Sequence, residues 1–149
     1  MRKIYFSSNL IIIFLLLSLN VSAKESDFFN KGIELFKKNE LDKSKILFER
    51  DIVFNPESEK SYLYLAKIFK KNSNDEEEEV NLKNVLLINP GNDEAIYMLA
   101  LLRIKQSDYK EAKELIDKFV LVCQEFCPKE NEIKKKLEKI TPENAKNND

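Results

Sequence analysis

The chain has no histidine in 149 residues. That absence removes imidazole general bases, Ser-His and Cys-His nucleophile pairs and most zinc sites from consideration. Only two glycines occur, Gly32 and Gly91, so the usual supply of positive-φ positions for tight hairpins and phosphate-cradling loops is missing. Sheets built from tight hairpins and P-loops are both disfavoured. No excess of positive charge exists either: 25 Lys and Arg stand against 26 Asp and Glu, a net charge of −1 that offers nucleic acid no basic field. Cysteine is confined to Cys123 and Cys127, with no C-x-x-C pair for redox catalysis. What is present is 43% hydrophobic and 34% charged residues, enough for one compact domain with a soluble surface.

The first 23 residues read as an address. Arg2 and Lys3 precede an apolar run from Leu10 to Leu19, which ends at the small-residue pattern Val21-Ser22-Ala23. The run is about ten residues, half of the roughly 20 that a spanning helix needs, and it fits a secretory signal peptide cleaved after Ala23. An uncleaved N-terminal membrane anchor is the alternative. No cysteine follows the run to accept a lipid. Removal of residues 1–23 leaves 23 basic against 26 acidic side chains, a net charge of −3 on 126 residues. The expected product is exported, periplasmic or secreted.

Beyond the address, apolar residues recur at helical spacing: Phe28-Phe29, Ile33 and Leu35-Phe36, then Ile46-Leu47-Phe48 and Ile52-Val53-Phe54. The intervening KKNELD breaks the pattern, with Asn39 as a candidate left-handed cap. The phrase DIVFNPESEK at Asp51–Lys60 is echoed 34 residues later by VLLINPGNDE at Val85–Glu94. The same shift superposes Phe28 on Tyr62, Gly32 on Ala66, Leu35 on Phe69, Phe48 on Leu82 and Pro56 on Pro90. A further 34 residues reach Ile96, Ala100, Arg103 and Ile116.

On these positions the chain resembles the tetratricopeptide-repeat (TPR) family, whose 34-residue unit is a helical hairpin. Gly32, Ala66 and Ala100 stand where the first helix approaches its partner, and Leu65 and Leu99 precede two of them. Tyr109, Ala112 and Ile116 complete the third copy. Lys31, Glu78 and Arg103 depart from the pattern, and the third copy has Gln124 where its closing proline belongs. The resemblance implies an all-α solenoid of three repeats over residues 24–124, at about 25–58, 59–92 and 93–126. A capping helix at 127–140 follows, with Ile133, Leu137 and Ile140 on one face. Residues 141–149 have almost nothing to bury and are expected to be disordered.

The family's site is the concave surface formed by the first helices. By register it holds Phe29, Ile33, Phe36 and Lys37; Leu63, Lys67, Lys70 and Lys71; and Tyr97, Leu101, Ile104 and Lys105. An apolar stripe rimmed by lysines fits either a partner-binding groove or a surface covered within the same chain. Members that bind chaperone tails clamp a carboxylate with Lys and Asn, and the corresponding places here hold Phe29, Ile33, Tyr64, Glu94 and Met98. Such clamping is not expected. The acidic run Asp75–Glu79 reads as a helix start, since consecutive helical carboxylates do not converge on one ion. Cys123 and Cys127 fit either a disulfide or two small buried apolar residues.

The function implied is a non-enzymatic exported adaptor or scaffold that holds a peptide or helix of another protein, with no cofactor, metal or nucleic acid. The alternative is a structural subunit of an envelope assembly or a homo-oligomer that uses the same stripe.

Overall fold

The computed structural model describes residues 26–140. The proposed signal segment and the C-terminal tail from 141 lie outside them. Seven α-helices follow one another: α1 (Asp27–Lys37), α2 (Leu41–Phe54), α3 (Glu59–Lys71), α4 (Asp75–Ile88), α5 (Asp93–Lys105), α6 (Tyr109–Val122) and α7 (Glu130–Ile140), the last preceded by a 3₁₀ turn at Cys127–Lys129. No strand occurs among the described residues, and none of these helices is long and apolar enough to cross a membrane. The first six pair as hairpins α1/α2, α3/α4 and α5/α6. Neighbouring hairpins meet through α2 with α3 and α4 with α5, and α7 closes the end against α6 and α5.

Each hairpin turns on a non-glycine residue. Asn39, Ser73 and Ser107, spaced by 34, have φ of 59°, 55° and 62°, while neither glycine has positive φ. The left-handed residue lets the next amide reach back over the helix end: Glu40 N donates to Leu35 O, Asn74 N to Phe69 O and Asp108 N to Arg103 O, each at 2.9 Å. Asparagine tolerates this conformation; serine is a costlier choice that three sets of surrounding bonds enforce. The second helix then starts on a side-chain cap in two of the three hairpins. Asn74 accepts from Glu77 N at 3.2 Å and Asp108 from Glu111 N at 3.0 Å. Pro56 and Pro90 sit in the turns between hairpins, where the helix has already ended and a missing N–H costs little.

Close approach within hairpins falls where small residues stand. A Cβ placed on Gly32 would lie 2.7 Å from the Phe48 ring, and Ala66 and Ala100 are fully buried. Two apolar clusters result. The smaller joins the first two hairpins through Phe29, Phe48, Leu65 and Ile68; the larger runs from Leu63 through Leu82, Val85, Ile96 and Phe119 to Ile133 of α7.

Two polar devices are set into this core. Asp51, 1% exposed, accepts hydrogen bonds from the hydroxyls of Ser26, Ser58 and Ser61, which ties α2 to the starts of α1 and α3. Arg103, 7% exposed, makes a bidentate contact with Glu79 through Nη1 and Nη2, both at 2.7 Å, and reaches Glu111 through Nε at 2.6 Å. The Arg103 guanidinium and the Lys83 ammonium hold the Glu79 carboxyl well below its ordinary 4.5, at about 2. The residue that breaks the aromatic pattern of the third copy thus spans all of its neighbours by a planar fork.

Candidate functional site

The first helices α1, α3 and α5 carry the groove-facing register, and the structure opens a cavity of about 300 Å³ there. Phe36, Tyr97, Met98 and Phe126 form its apolar surface, and Lys67, Lys70, Lys71 and Glu94 its polar surface. The lysines are positioned in different ways. Lys67 pairs with Glu94 at 2.8 Å while lying 4.7 Å from the centre of the Tyr64 ring. Lys71 lies 4.9 Å from the Phe36 ring centre and donates to Asn39 at 3.3 Å. Lys70 is exposed. Three cations against one anion leave the rim positive around an apolar floor, and aromatic faces hold two of the cations by their quadrupoles.

Of the residues assigned to the groove by register, Phe36, Lys67, Lys70, Lys71 and Tyr97 come together in this cavity. Lys70, Leu101 and Lys105 line a neighbouring cavity of about 210 Å³ with Asp75, Glu78 and Leu102. There Lys105 pairs with Asp75 at 2.6 Å, and burial pushes the Glu78 carboxyl up. The rest do not reach the main cavity. Phe29 is 6% exposed against Phe48, Leu65 and Ile68, and Leu63 is 8% exposed in the larger core. Ile33 and Ile104 are half-buried against those clusters, and Lys37 is exposed at the end of α1. The acidic run disperses: Asp75 and Glu79 go to Lys105 and Arg103, and Glu78 turns inward. Among the described residues no group of three or more His, Cys, Asp or Glu is placed to hold a metal.

Glu94, Met98 and Phe126 join the cavity without having been assigned to it. Glu94 and Met98 share a face of α5 with Tyr97, so the helical period could have found them. Phe126 lies outside any helical period, and its place depends on a short closed loop. Cys123 and Cys127 are disulfide-bonded, with Cα atoms 5.2 Å apart. Inside the loop, the amides of Gln124, Glu125 and Phe126 all donate to one carboxylate oxygen of Asp93, at 2.7, 2.8 and 2.9 Å. Burial opposes the charge of Asp93, but the amides of Phe126, Gln124, Glu125 and Glu94 outweigh it and keep the carboxyl below its ordinary value. So fixed, the Phe126 ring stands 5.9 Å from Tyr97 and walls the cavity. The Tyr97 hydroxyl reaches Glu132 of α7 at 3.2 Å, and burial, aided by that carboxylate, raises its pKa.

No protein-family model and no curated protein sequence matches the chain. Solved structures do. The first TPR of Spaghetti (RPAP3), bound to the HSP90 peptide SRMEEVD, superposes with a TM-score of 0.68 at 15% identity, over 76% of this chain and 90% of that one. The fold is that of a TPR domain. The Sgt2 TPR domain from Aspergillus fumigatus gives a TM-score of 0.62 at 18% identity, over 81% and 79% of the two chains. A chain of the CopN-Scc3 complex gives 0.62 at 16%, over 76% and 66%. Against the TPR unit, the three hairpins supply the repeats and α7 covers the last of them.

Proposed function

We propose that the chain is an exported adaptor whose TPR groove holds an acidic segment of another protein, with one large apolar side chain of that segment in the cavity. The observation that carries this reading is the cavity itself: an apolar floor of Phe36, Met98, Tyr97 and Phe126 inside a rim where three lysines face one glutamate. A similar domain holding an HSP90 peptide supports a protein segment as the occupant. The carboxylate clamp is replaced at its five places by Phe29, Ile33, Tyr64, Glu94 and Met98, so the anchor is an apolar side chain rather than a terminal carboxylate. Export rests on the sequence of residues 1–23 and is tested by N-terminal sequencing of the protein recovered outside the cytoplasm, which should begin at Lys24.

Selection from a displayed peptide library tests the groove. Bound peptides should share an aromatic or long aliphatic residue flanked by Asp or Glu, and their affinity should fall with added salt. Met98→Asp, which puts a charge on the cavity floor, should weaken them roughly thirtyfold or more. Peptides without acids, or binding indifferent to Met98→Asp, would remove the proposal.

A further inference from the structure

The second helices carry an apolar row that neither the core nor the groove uses. Val53, Leu87 and Leu121 occupy the same position of successive repeats and are 73%, 82% and 85% exposed. Packing inside the chain explains none of the three, and a repeated exposed apolar row of this kind marks an interaction surface. The residues one turn earlier on each helix say what fits it. Three and four positions before each apolar residue, on the same face, stand Arg50 and Glu49, Asn84 and Lys83, and Lys118 and Asp117. Across the three helices the charges read Glu-Arg, Lys-Asn, Asp-Lys.

Reversed and laid face to face, that order complements itself. A two-fold axis along α4 through Leu87 sets Val53 against Leu121 of the second copy and Leu87 against its equivalent. The same rotation brings Arg50 to Asp117 of the second copy, Glu49 to its Lys118, and Lys83 to its Asn84, so no like charges meet. Arg50, Asp117 and Lys118 form no ion pair among the described residues, while Glu49 and Lys83 have partners on their own helices, Lys45 at 3.4 Å and Glu79 at 2.6 Å. We propose that this outer row is an isologous dimer interface, with a second copy of the chain as its occupant. The groove belongs to the first helices and is left open by this pairing, so a dimer presents two grooves.

The test is the oligomeric state of the full chain, purified as expressed, by sedimentation equilibrium. A dimer is expected. Leu87→Glu should weaken it roughly thirtyfold or more with helicity unchanged, since the residue meets its own copy at the axis. Arg50→Asp alone should weaken it roughly tenfold, and Asp117→Arg likewise. The double variant Arg50→Asp/Asp117→Arg should return the affinity to within about threefold of the original. A wild-type monomer, a dimer insensitive to Leu87→Glu, or a charge reversal that fails to rescue would overturn the proposal. Flotation of a monomer with phosphatidylcholine vesicles, lost in Leu87→Glu, would assign the row to lipid and overturn it equally.

Discussion

The two junctions between hairpins use equivalent positions with opposite chemistry. Where the first and second hairpins meet, Asp51 collects the hydroxyls of Ser26, Ser58 and Ser61. Thirty-four residues on, the places of Asp51 and Ser61 hold Val85 and Ala95, both fully buried, and that of Ser58 holds Asn92, which caps Ala95 N at 2.7 Å. The second junction adds Arg103 and Glu79 at its other end. One repeat geometry therefore accepts either a directional polar joint or an apolar one, provided the whole set of partners changes together. A hydroxyl is useful at Ser61 because a carboxylate is within reach; at Ala95 it would have none.

Mixing the two chemistries should cost most. Val85→Asp buries a carboxylate with none of the hydroxyls that surround Asp51, and should destabilise by about 3–5 kcal/mol in denaturant melts. Ala95→Ser in that background should recover part of the loss. The reverse change, Asp51→Val, leaves the buried Ser61 hydroxyl without its acceptor and should cost about 1–3 kcal/mol. Equal costs for the two would mean that the junctions do not differ as described.

Acid distinguishes them differently. Glu79 is held at about 2 by Arg103 and Lys83, below its ordinary 4.5. Its contribution is complete above about pH 4.5 and is lost as pH falls from there through 2, because the unfolded chain binds the proton first. Glu79→Gln should be less stable than the parent at neutral pH and should lose the part of the acid sensitivity in that window that Glu79 supplies. Melts of the two proteins from pH 6 to 2 should converge. The smallest effects are expected at the helix starts. Asn92→Ala should cost about 1 kcal/mol for the lost cap, and Ser58→Ala, half-buried and with no cap bond, about 0.5–1.5 kcal/mol for its hydrogen bond to Asp51.

The period of 34 made the hairpins readable because it repeats in residues whose size or backbone matters: Gly32, Ala66 and Ala100 at the close approaches, Pro56 and Pro90 between hairpins. Asn39 announced its turn, whereas Ser73 and Ser107 did not, since serine has little intrinsic preference for the left-handed region and is held there by the bonds around it. Asp51 was illegible for a similar reason. A lone acid in a helix looks like surface until three distant hydroxyls are brought to it by folding. The groove was legible as a register and not as a shape: Phe29 and Leu63 turn into the core, Tyr97 is overlaid by α7, and Phe126 enters from a loop whose path depends on the Cys123–Cys127 bond and on Asp93. Register assigns a residue to a helix face, but only the neighbours decide whether that face is open.

The stacking of hairpins has a kinetic consequence. The hydrogen bonds and ion pairs between helices join residues no more than 35 apart in sequence, the longest being Tyr97 to Glu132. Loop closure is therefore short everywhere along the described chain, and ordering one hairpin needs no contact from beyond its neighbour. Such a chain folds from whichever hairpin forms first and opens from its ends. The two ends are not alike: α7 seals one with Ile133 fully buried, while α1 is held by a small aromatic cluster and the Asp51 joint. Amide exchange under native conditions should therefore proceed fastest in α1 and α2 and slowest in α5, and opening of the first hairpin should uncover Phe36 and dismantle the groove wall before the rest of the molecule unfolds.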